Sequence, residues 1–444
     1  MLDSIKRLAE EFLELTKEKP IRIISHHDTD GITSAAILAK ALKRLEKKFS
    51  IKILKGIDEV AIRSELERNN KEILIFLDLA SSNLDYFTSL KLPIFILDHH
   101  EIKKDKLNSM IKMINPHLFD EEELCGAELS YLFAKELESK NTDLSHLAII
   151  GMIGDRHETN LSKISQQILN DTPELVIKRG LLVYPATRPL KKALEYSTSP
   201  YIPDVTGSGI GAFNLLRELN IDGEKSLFEL NEEEMSRLIT AIMLKISKTN
   251  QKDNIIGNHY LIKFFNTQED ARELSVLINS CSRLGCSDIA ISLCLQNENA
   301  KQKAIEIYAQ YKQQLISALK TMEKIEKIKG NGFVIMNAQD KIKDTIIGTV
   351  TSILSSSINY EEGTILIGMA YNENKIKVSA RIVGREGRNL KEVLEKTVVS
   401  FNSETSKAEV GGHQMAAGCL IEKEQEKEFI ENLKRNLEIE ILKV

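Results

Sequence analysis

The sequence predicts an α/β protein: a parallel-sheet domain with a helical insertion, a long connecting helix, and a smaller α/β domain towards the C-terminus. Three observations carry this. Short, unbroken apolar runs alternate with amphipathic stretches between Ile21 and Arg156, the pattern of strands covered by helices on both faces. From Asn299 to Lys329 the chain holds neither glycine nor proline and sets apolar residues at helical spacing among Lys and Glu. A second series of strand-like and helix-like runs follows. The expected limits are 1–298 for the first domain, with the helical segment at 161–254, then 299–329 for the connecting helix and 330–444 for the second domain.

The elements follow in order. "MLDSIKRLAEEFLELTKEK" reads as a charged amphipathic helix. It lacks the apolar core and cleavage site of a secretory signal, and no apolar run approaches a membrane span, so the expected compartment is the cytoplasm. "IRIIS", Ile73–Asp78, Ile94–His100 and Leu147–Asp155 read as four strands. "GITSAAILAKALKRLEKK" between the first two has helical periodicity. The section from Leu161 to Asn254 contains Pro185, Pro189, Pro200 and Pro203 and reads as helices joined by ordered turns. "DARELSVLINSCSRLG" then predicts a helix and "DIAISLCL" a strand. In the C-terminal domain "GFVIMNA", "TILIGMAY" and "KIKVSARIV" predict strands, with "DTIIGTVTSILSSSI" and "NLKEVLEKTVVSF" as helices.

Composition narrows the function classes. A formal net charge of −5 argues against a surface coated in positive charge for duplex DNA, although a local groove can still be basic. With no tryptophan, base stacking would rest on a few Phe or Tyr. The five cysteines are scattered without a CxxC pair, which predicts free thiols in a reducing compartment; a soft-metal site at Cys281, Cys286 and Cys294 is the alternative.

The chemistry concentrates at the ends of the four early runs. The first leads into "HHDTDG", with His26, His27, Asp28 and Asp30; the second ends at Asp78; the third at Asp98, His99 and His100; the fourth at Asp155. In an open parallel sheet such ends lie along one edge, where ligand sites form at the switch in strand order. Taken singly, each acid would serve as a helix cap or turn former. Gathered together, they need cations, because like charges in one place drive carboxylate pKa values up. Mixed Asp and His donors suit manganese or a similar transition ion, with magnesium as the alternative. The number of donors is natural for two ions, which at a separation of roughly 3.5–4 Å share a bridging carboxylate and activate water for attack on phosphorus. His27 is read as facing water or substrate.

These residues closely resemble the DHH phosphoesterases, and within them the archaeal RecJ-like exonucleases, also called GINS-associated nucleases. "SHHDTDGITSAAILAKAL" resembles the first motif of that family, "LDLAS" the second, "LDHH" the signature and "IGMIGD" the fourth. "INP" with "CGAELSYLFAKEL" is similar to the segment between the third and fourth. "ARELSVLINSCSRLG" resembles the Asn/Arg-containing motif, and "GGHQMAAG" the substrate-side loop of the DHH-associated domain. The sequence departs from the pattern at Ala80, where the family has glycine, at Asn279–Arg283, and at Val410, which replaces the first of three glycines. None of these removes a ligand or a charge.

The resemblance implies that His26, Asp28, Asp30, Asp78, His100 and Asp155 are metal ligands for two Mn2+ ions (Mg2+ as the alternative), with Asp78 as the bridge. It implies that His99 contacts the scissile phosphate and takes a catalytic role beside Asp78, and that Asp98 orients a ligand. It also implies substrate contacts at Asn279, Arg283, Arg381, Gly411, Gly412 and His413; Arg385 and Arg388 are read as either phosphate contacts or solvated. Small residues in "VGGHQMAAG" suit a close backbone approach, and its N–H groups an anion nest. The implied activity is a processive exonuclease on single strands, 5′→3′ on DNA, with RNA the alternative polymer, and GINS and the MCM helicase as partners. The rivals are an oligoribonuclease or small-nucleotide phosphodiesterase, and a non-catalytic replication scaffold.

Overall fold

The structure, a computed structural model, describes all residues except 58, 69–70, 88–89, 103, 120–122, 185, 198–199, 247–254, 357–359, 385–386, 400–409 and 440–444. The chain divides into two compact units, Met1–Arg179 with Asn258–Ala309, and Gly180–Gly257 with Gln310–Val444. It opens with α1 (Leu2–Leu15), β1 (Ile21–His26), α2 (Thr29–Arg44), β2 (Phe49–Leu54), α3 (Glu59–Arg68), β3 (Ile73–Leu77), β4 (Ile94–Leu97) and β5 (Ile111–Ile114). Helices α4 (Gly126–Leu137), α5 (Ser145–Gly154) and α6 (Lys163–Asp171) follow, then β6 (Val176–Leu181). Next come α7 (Leu190–Tyr196), α8 (Gly209–Glu218), α9 (Glu232–Ile246), β7 (Ile256–Phe264), β8 (Thr267–Asp270), α10 (Ala271–Arg283) and α11 (Ser287–Cys294). After α12 (Glu298–Lys324) the chain makes β9 (Lys327–Gly330), β10 (Phe333–Asn337), α13 (Asp344–Ser355), β11 (Ile365–Asn372) and β12 (Lys375–Ile382). It ends with α14 (Leu390–Val398), β13 (Val410–His413), β14 (Ala416–Glu422) and α15 (Glu426–Ile439).

The first sheet has the order β2-β1-β3-β4-β5, and every pairing is parallel. Its central strands read as continuous apolar runs because both faces are covered. Ile21, Ile23, Ile73, Ile75, Leu77, Phe95 and Leu97 join the core with α1, α2, α4 and α5. Ile24, Leu74, Phe76, Ile94 and Ile96 point to the other side, with Ile62 of α3 and Phe87. Phe12 of α1 locks the first core, with edge contacts to Phe95 at 5.0 Å and Phe133 at 5.3 Å.

Two expected strands are helices. Leu147–Asp155 falls in α5, which ends at Gly154, and "DIAISLCL" falls in α11. Residues 145–153 of α5 are all buried. A helix enclosed on every side shows the same unbroken apolar run as a buried strand, so periodicity cannot separate them. Elements not expected include the edge strands β2 and β5, whose burial is only partial, the small sheet β6-β7-β8, and β9 beyond the connecting helix.

The second unit contains a six-stranded sheet ordered β13-β14-β12-β11-β10-β9. β10 and β11 pair in parallel and the other neighbours are antiparallel. Ile367, Met369, Val378, Ala380, Cys419 and Ile421 share a core with residues of α14 and α15. The "VGGH" segment expected as part of a loop is an edge strand of a hairpin, with Gly411 opposite Gly418 and His413 opposite Ala416. Gly412, at φ +116, has no room for a side chain: a Cβ there would lie 2.4 Å from the Ala416 carbonyl oxygen.

One charged cluster braces the sheet edge. Glu65 of α3, 3% exposed, accepts from Arg22 Nε at 3.1 Å and Lys52 Nζ at 2.6 Å, tying α3 to β1 and β2. Burial alone would raise its pKa, but Lys52 and Arg22 outweigh burial and hold it below the ordinary glutamate value. A group depressed in the folded state contributes stability above its unfolded pKa and loses it as pH falls through the folded value. Glu65→Gln is therefore expected to cost about 2–3 kcal/mol near neutral pH. The gap to the parent protein should close in acid, as read from denaturant midpoints across a pH series.

Candidate metal centre

The strand order reverses between β1 and β3, which opens a crevice at their carboxyl ends. The "HHDTDG" turn leaves β1 there, and Asp78 follows β3. Asp28 is both cap and cluster member. Its Oδ1 accepts the Gly31 N–H at 2.9 Å, starting α2, while Oδ2 lies 2.9 Å from His26 Nδ1. Asp30 is fully buried, with the Gly126 N–H donating to Oδ2 at 2.6 Å and the Ala127 N–H to Oδ1 at 2.8 Å. Those donors belong to the first turn of α4, where a carboxylate is favoured. Glycine is required at 126, because a Cβ would lie 2.7 Å from Asp78 Cβ and 2.9 Å from Asp30 Oδ2.

Asp78 stands at the middle of the cluster, 1% exposed. Its Oδ2 lies 3.3 Å from His26 Nδ1, and its Oδ1 lies 3.3 Å from His99 Nε2 and 3.9 Å from His100 Nδ1. His99 Nε2 also lies 3.2 Å from Asp155 Oδ2 and 3.9 Å from Asp30 Oδ2. Asp155 arrives from the C-terminus of α5, not from a strand end. The backbone that turns Asp78 inward is strained: Asp78 has φ +56 and Ala80 has φ +96, both in the left-handed region.

Asp98 is occupied in holding the signature turn. It accepts the N–H groups of Ser81 at 2.8 Å, His99 at 2.8 Å and His100 at 3.2 Å, and meets His100 Nδ1 at 2.7 Å. That contact fixes the ring and leaves Nε2 as the nitrogen offered to a ligand.

Among the described residues, three overlapping groups each bring donor atoms within 4.8 Å of one another: His26, Asp28 and Asp78; Asp78, His99 and His100; and His99, Asp155 and His157. His157 was missed in the sequence. It lies two residues beyond the last expected ligand, in a short turn with no periodic signal.

Proton affinities record the crowding. Burial, then the charges of Asp78 and Asp155, push the Asp30 carboxyl well above its usual range. Burial and Asp28 push Asp78 up, partly offset by His26 and His99. Burial alone would lower His26 and His99, but their aspartate neighbours outweigh it and raise both well above the ordinary histidine value. His100 is raised in the same way, chiefly by Asp98 acting against burial. Asp28 and Asp98 are held low: burial opposes this, but His26 acts on the first and His100 on the second. His27 differs, its pKa lowered to about 3 by burial, with His26 adding to the effect.

A divalent cation fits this donor set. Oxygen and nitrogen donors converge, and Asp78 Oδ1 and His99 Nε2 are buried without a hydrogen-bond partner. Asn279 and Arg283 belong to the same unit. Thr29 Oγ1 donates to the Ser275 carbonyl at 2.9 Å, tying α10 to the turn after β1, and Arg283 Nε donates to Asn279 Oδ1 at 3.2 Å. Arg381, Gly411, Gly412 and His413 lie together in the second unit. Arg381 and His413 flank Ala416 in one row across β12, β14 and β13. Arg381 Nε donates to Ser352 Oγ at 2.7 Å, Arg388 Nη1 donates to the Leu437 carbonyl at 2.6 Å, and Arg385 lies outside the described residues.

Residues 20–154 match the model of the DHH family, N-terminal domain, and 329–438 match the DHHA1 domain. Residues 144–315 match Archaeal Cdc45. The chain is 30% identical over 453 residues to an uncharacterized protein of Methanocaldococcus jannaschii, covering 98% of each. The chain belongs to the DHH family. Its fold is that of RecJ and CDC45. RecJ of Thermus thermophilus in complex with Mn2+ aligns at TM-score 0.60 and 16% identity, covering 97% of this chain and 54% of that one, so the DHH protein spans about half of it. CDC45 of Entamoeba histolytica aligns at TM-score 0.68 and 12% identity, over 98% of this chain and 99% of that one. Among the described residues no helix is long and apolar enough to cross a membrane.

Each of His26, His99, His100, Asp30 and Asp78 has its pKa raised by its surroundings, so protons compete with a cation for these groups at higher pH than they would for free side chains. A cation must displace those protons. Calorimetry in buffers of different ionisation enthalpy is expected to show proton release on Mn2+ binding, with affinity rising from about pH 6 to about pH 8. An affinity independent of pH would contradict this.

Proposed function

We propose that this DHH protein is a metal-dependent exonuclease. It hydrolyses phosphodiester bonds processively from the end of a single strand, 5′→3′ on DNA with RNA as the alternative polymer, in DNA replication or repair. The observation that carries this reading is the two-sided placement of Asp78, with Oδ2 facing His26 and Oδ1 facing His99 and His100. A carboxylate shared in this way between two donor groups suits a pair of divalent cations, manganese or magnesium. In this reading His26, Asp28, Asp30, Asp78, His100 and Asp155 hold the pair, which when bound supplies charge neutralisation at phosphate and a water of lowered pKa.

The chain's own residues do the rest. His99, between Asp78 and Asp155, contacts the scissile phosphate and gives the Nε2 proton to the leaving oxygen. Asp98 keeps His100 in the orientation that offers Nε2. Asn279 and Arg283 bind phosphate beside the first turn, and guanidinium suits a bidentate contact. In a domain bounded near 330–444, Arg381, Gly411, Gly412 and His413 bind the strand. A net charge of −5 argues against a surface coated in positive charge for a duplex, which favours a single strand.

The Archaeal Cdc45 match and the CDC45-like fold support a second role, as a component of a replicative assembly with GINS and MCM as partners. The two roles are compatible in one chain.

The test is digestion of DNA and RNA strands labelled separately at either end, beside a dinucleotide, with Mn2+ and Mg2+ compared. Asp78→Ala is expected to abolish turnover while the protein stays folded. His413→Ala is expected to raise KM more than it lowers kcat. Near-normal turnover by Asp78→Ala, or cleavage of the dinucleotide alone, would overturn the reading.

A further inference from the structure

The resemblance that assigns six ligands assigns nothing to His157, yet a nitrogen of this residue lies within 4.8 Å of donor atoms of both His99 and Asp155. Its ring stands edge-on to His99 with centroids 5.5 Å apart. The turn that carries it is held in place. Asp155 and Arg156 close the end of α5 through N–H donation to Gly151 at 3.0 Å and Ile153 at 3.2 Å, and Arg156 takes φ +63 to redirect the chain. Glu158, the next residue, forms a half-buried ion pair with Arg272 of α10. The Asn160 N–H donates back to the His157 carbonyl at 3.1 Å. His157 is thus presented by a pinned turn on the same side as Asp155, and the buried, unpartnered Asp78 Oδ1 faces His99 in the same cluster.

We propose that His157 is a further nitrogen ligand of the cation site, entering beside Asp155, and that it biases the site towards manganese over magnesium. The bias follows from ligand chemistry. Imidazole suits transition ions, whereas magnesium prefers oxygen donors and keeps its waters. With His26 and His100 already in the set, a third imidazole makes the Asp155 half of the cluster richer in nitrogen than an aspartate-only site. This rests on reading the cluster as a divalent-cation centre, but not on its being a nuclease.

The test uses the full chain and Mn2+ itself, counting bound ions and their affinity by electron paramagnetic resonance of the free ion, with Mg2+ as competitor. His157→Gln removes the imidazole at similar size and is expected to weaken Mn2+ binding by about tenfold or more. His157→Asp supplies an oxygen donor in its place. It is expected to recover part of the binding while narrowing the Mn2+ preference over Mg2+ by about tenfold. Circular dichroism checks the fold of each variant, and His157→Asp carries the test if His157→Gln fails to fold. Stoichiometry, affinity and Mg2+ competition within about twofold of the parent protein in a folded variant would overturn the proposal. If His157→Gln loses Mn2+ while the parent protein binds Mn2+ but degrades no strand, the nuclease reading fails and this one stands. If the parent protein degrades strands and His157→Gln binds Mn2+ unchanged, the reverse holds.

Discussion

Like charge in a buried place is the constraint on which this protein is built. Asp30 and Asp78 have almost no exposure, and their neighbours include Asp28 and Asp155. Burial penalises each charge separately and mutual repulsion penalises them together. The chain offsets only part of this. Two N–H groups at the start of α4 hold Asp30, and the imidazoles of His26, His99 and His100 stand within 4 Å of the acids around them. A divalent cation bound among them would replace those devices and satisfy several carboxylates at once.

The fold supplies the place, and a few local features supply the fit. A parallel sheet ordered β2-β1-β3-β4-β5 leaves a crevice between the ends of β1 and β3, and the first two acidic blocks fall at those ends. Gly126 lets α4 come close enough for its N–H groups to reach Asp30. The left-handed conformations of Asp78 and Ala80 store strain that the surrounding hydrogen bonds to Asp98 sustain. A glycine at position 80 would adopt that conformation freely, so the alanine there carries a conformational cost.

Most of the centre was legible because its residues are polar interruptions of apolar runs. His26 to Asp30, Asp78 and Asp98 to His100 each break a buried strand pattern, and only chemistry or capping explains such breaks. Asp28 is both a helix cap and a member of the cluster. What the sequence concealed has physical reasons. Leu147–Gly154 is apolar on all sides, so its period carries no information, and a helix was read as a strand. β2 and β5 are edge strands with mixed burial, and their alternation is weak. The N–H groups that hold Asp30 come from a backbone almost one hundred positions away and leave no mark in side-chain chemistry. The hairpin of Val410–His413 with Ala416–Glu422 is hidden because small residues suit a tight turn and a close-packed strand pair equally.

The two units carry different features, a candidate cation centre in one and a row of Arg381, Ala416 and His413 across a sheet in the other. The first is the more demanding, since every buried acid in it presupposes a counter-charge. Crystals grown with Mn2+ and measured at the manganese absorption edge decide whether that counter-charge is a metal. Anomalous density is expected, enclosed by Asp30, Asp78 and Asp155, with His26 and His100 as neighbours. A well-ordered site with these side chains in place and no anomalous density among them would rule it out.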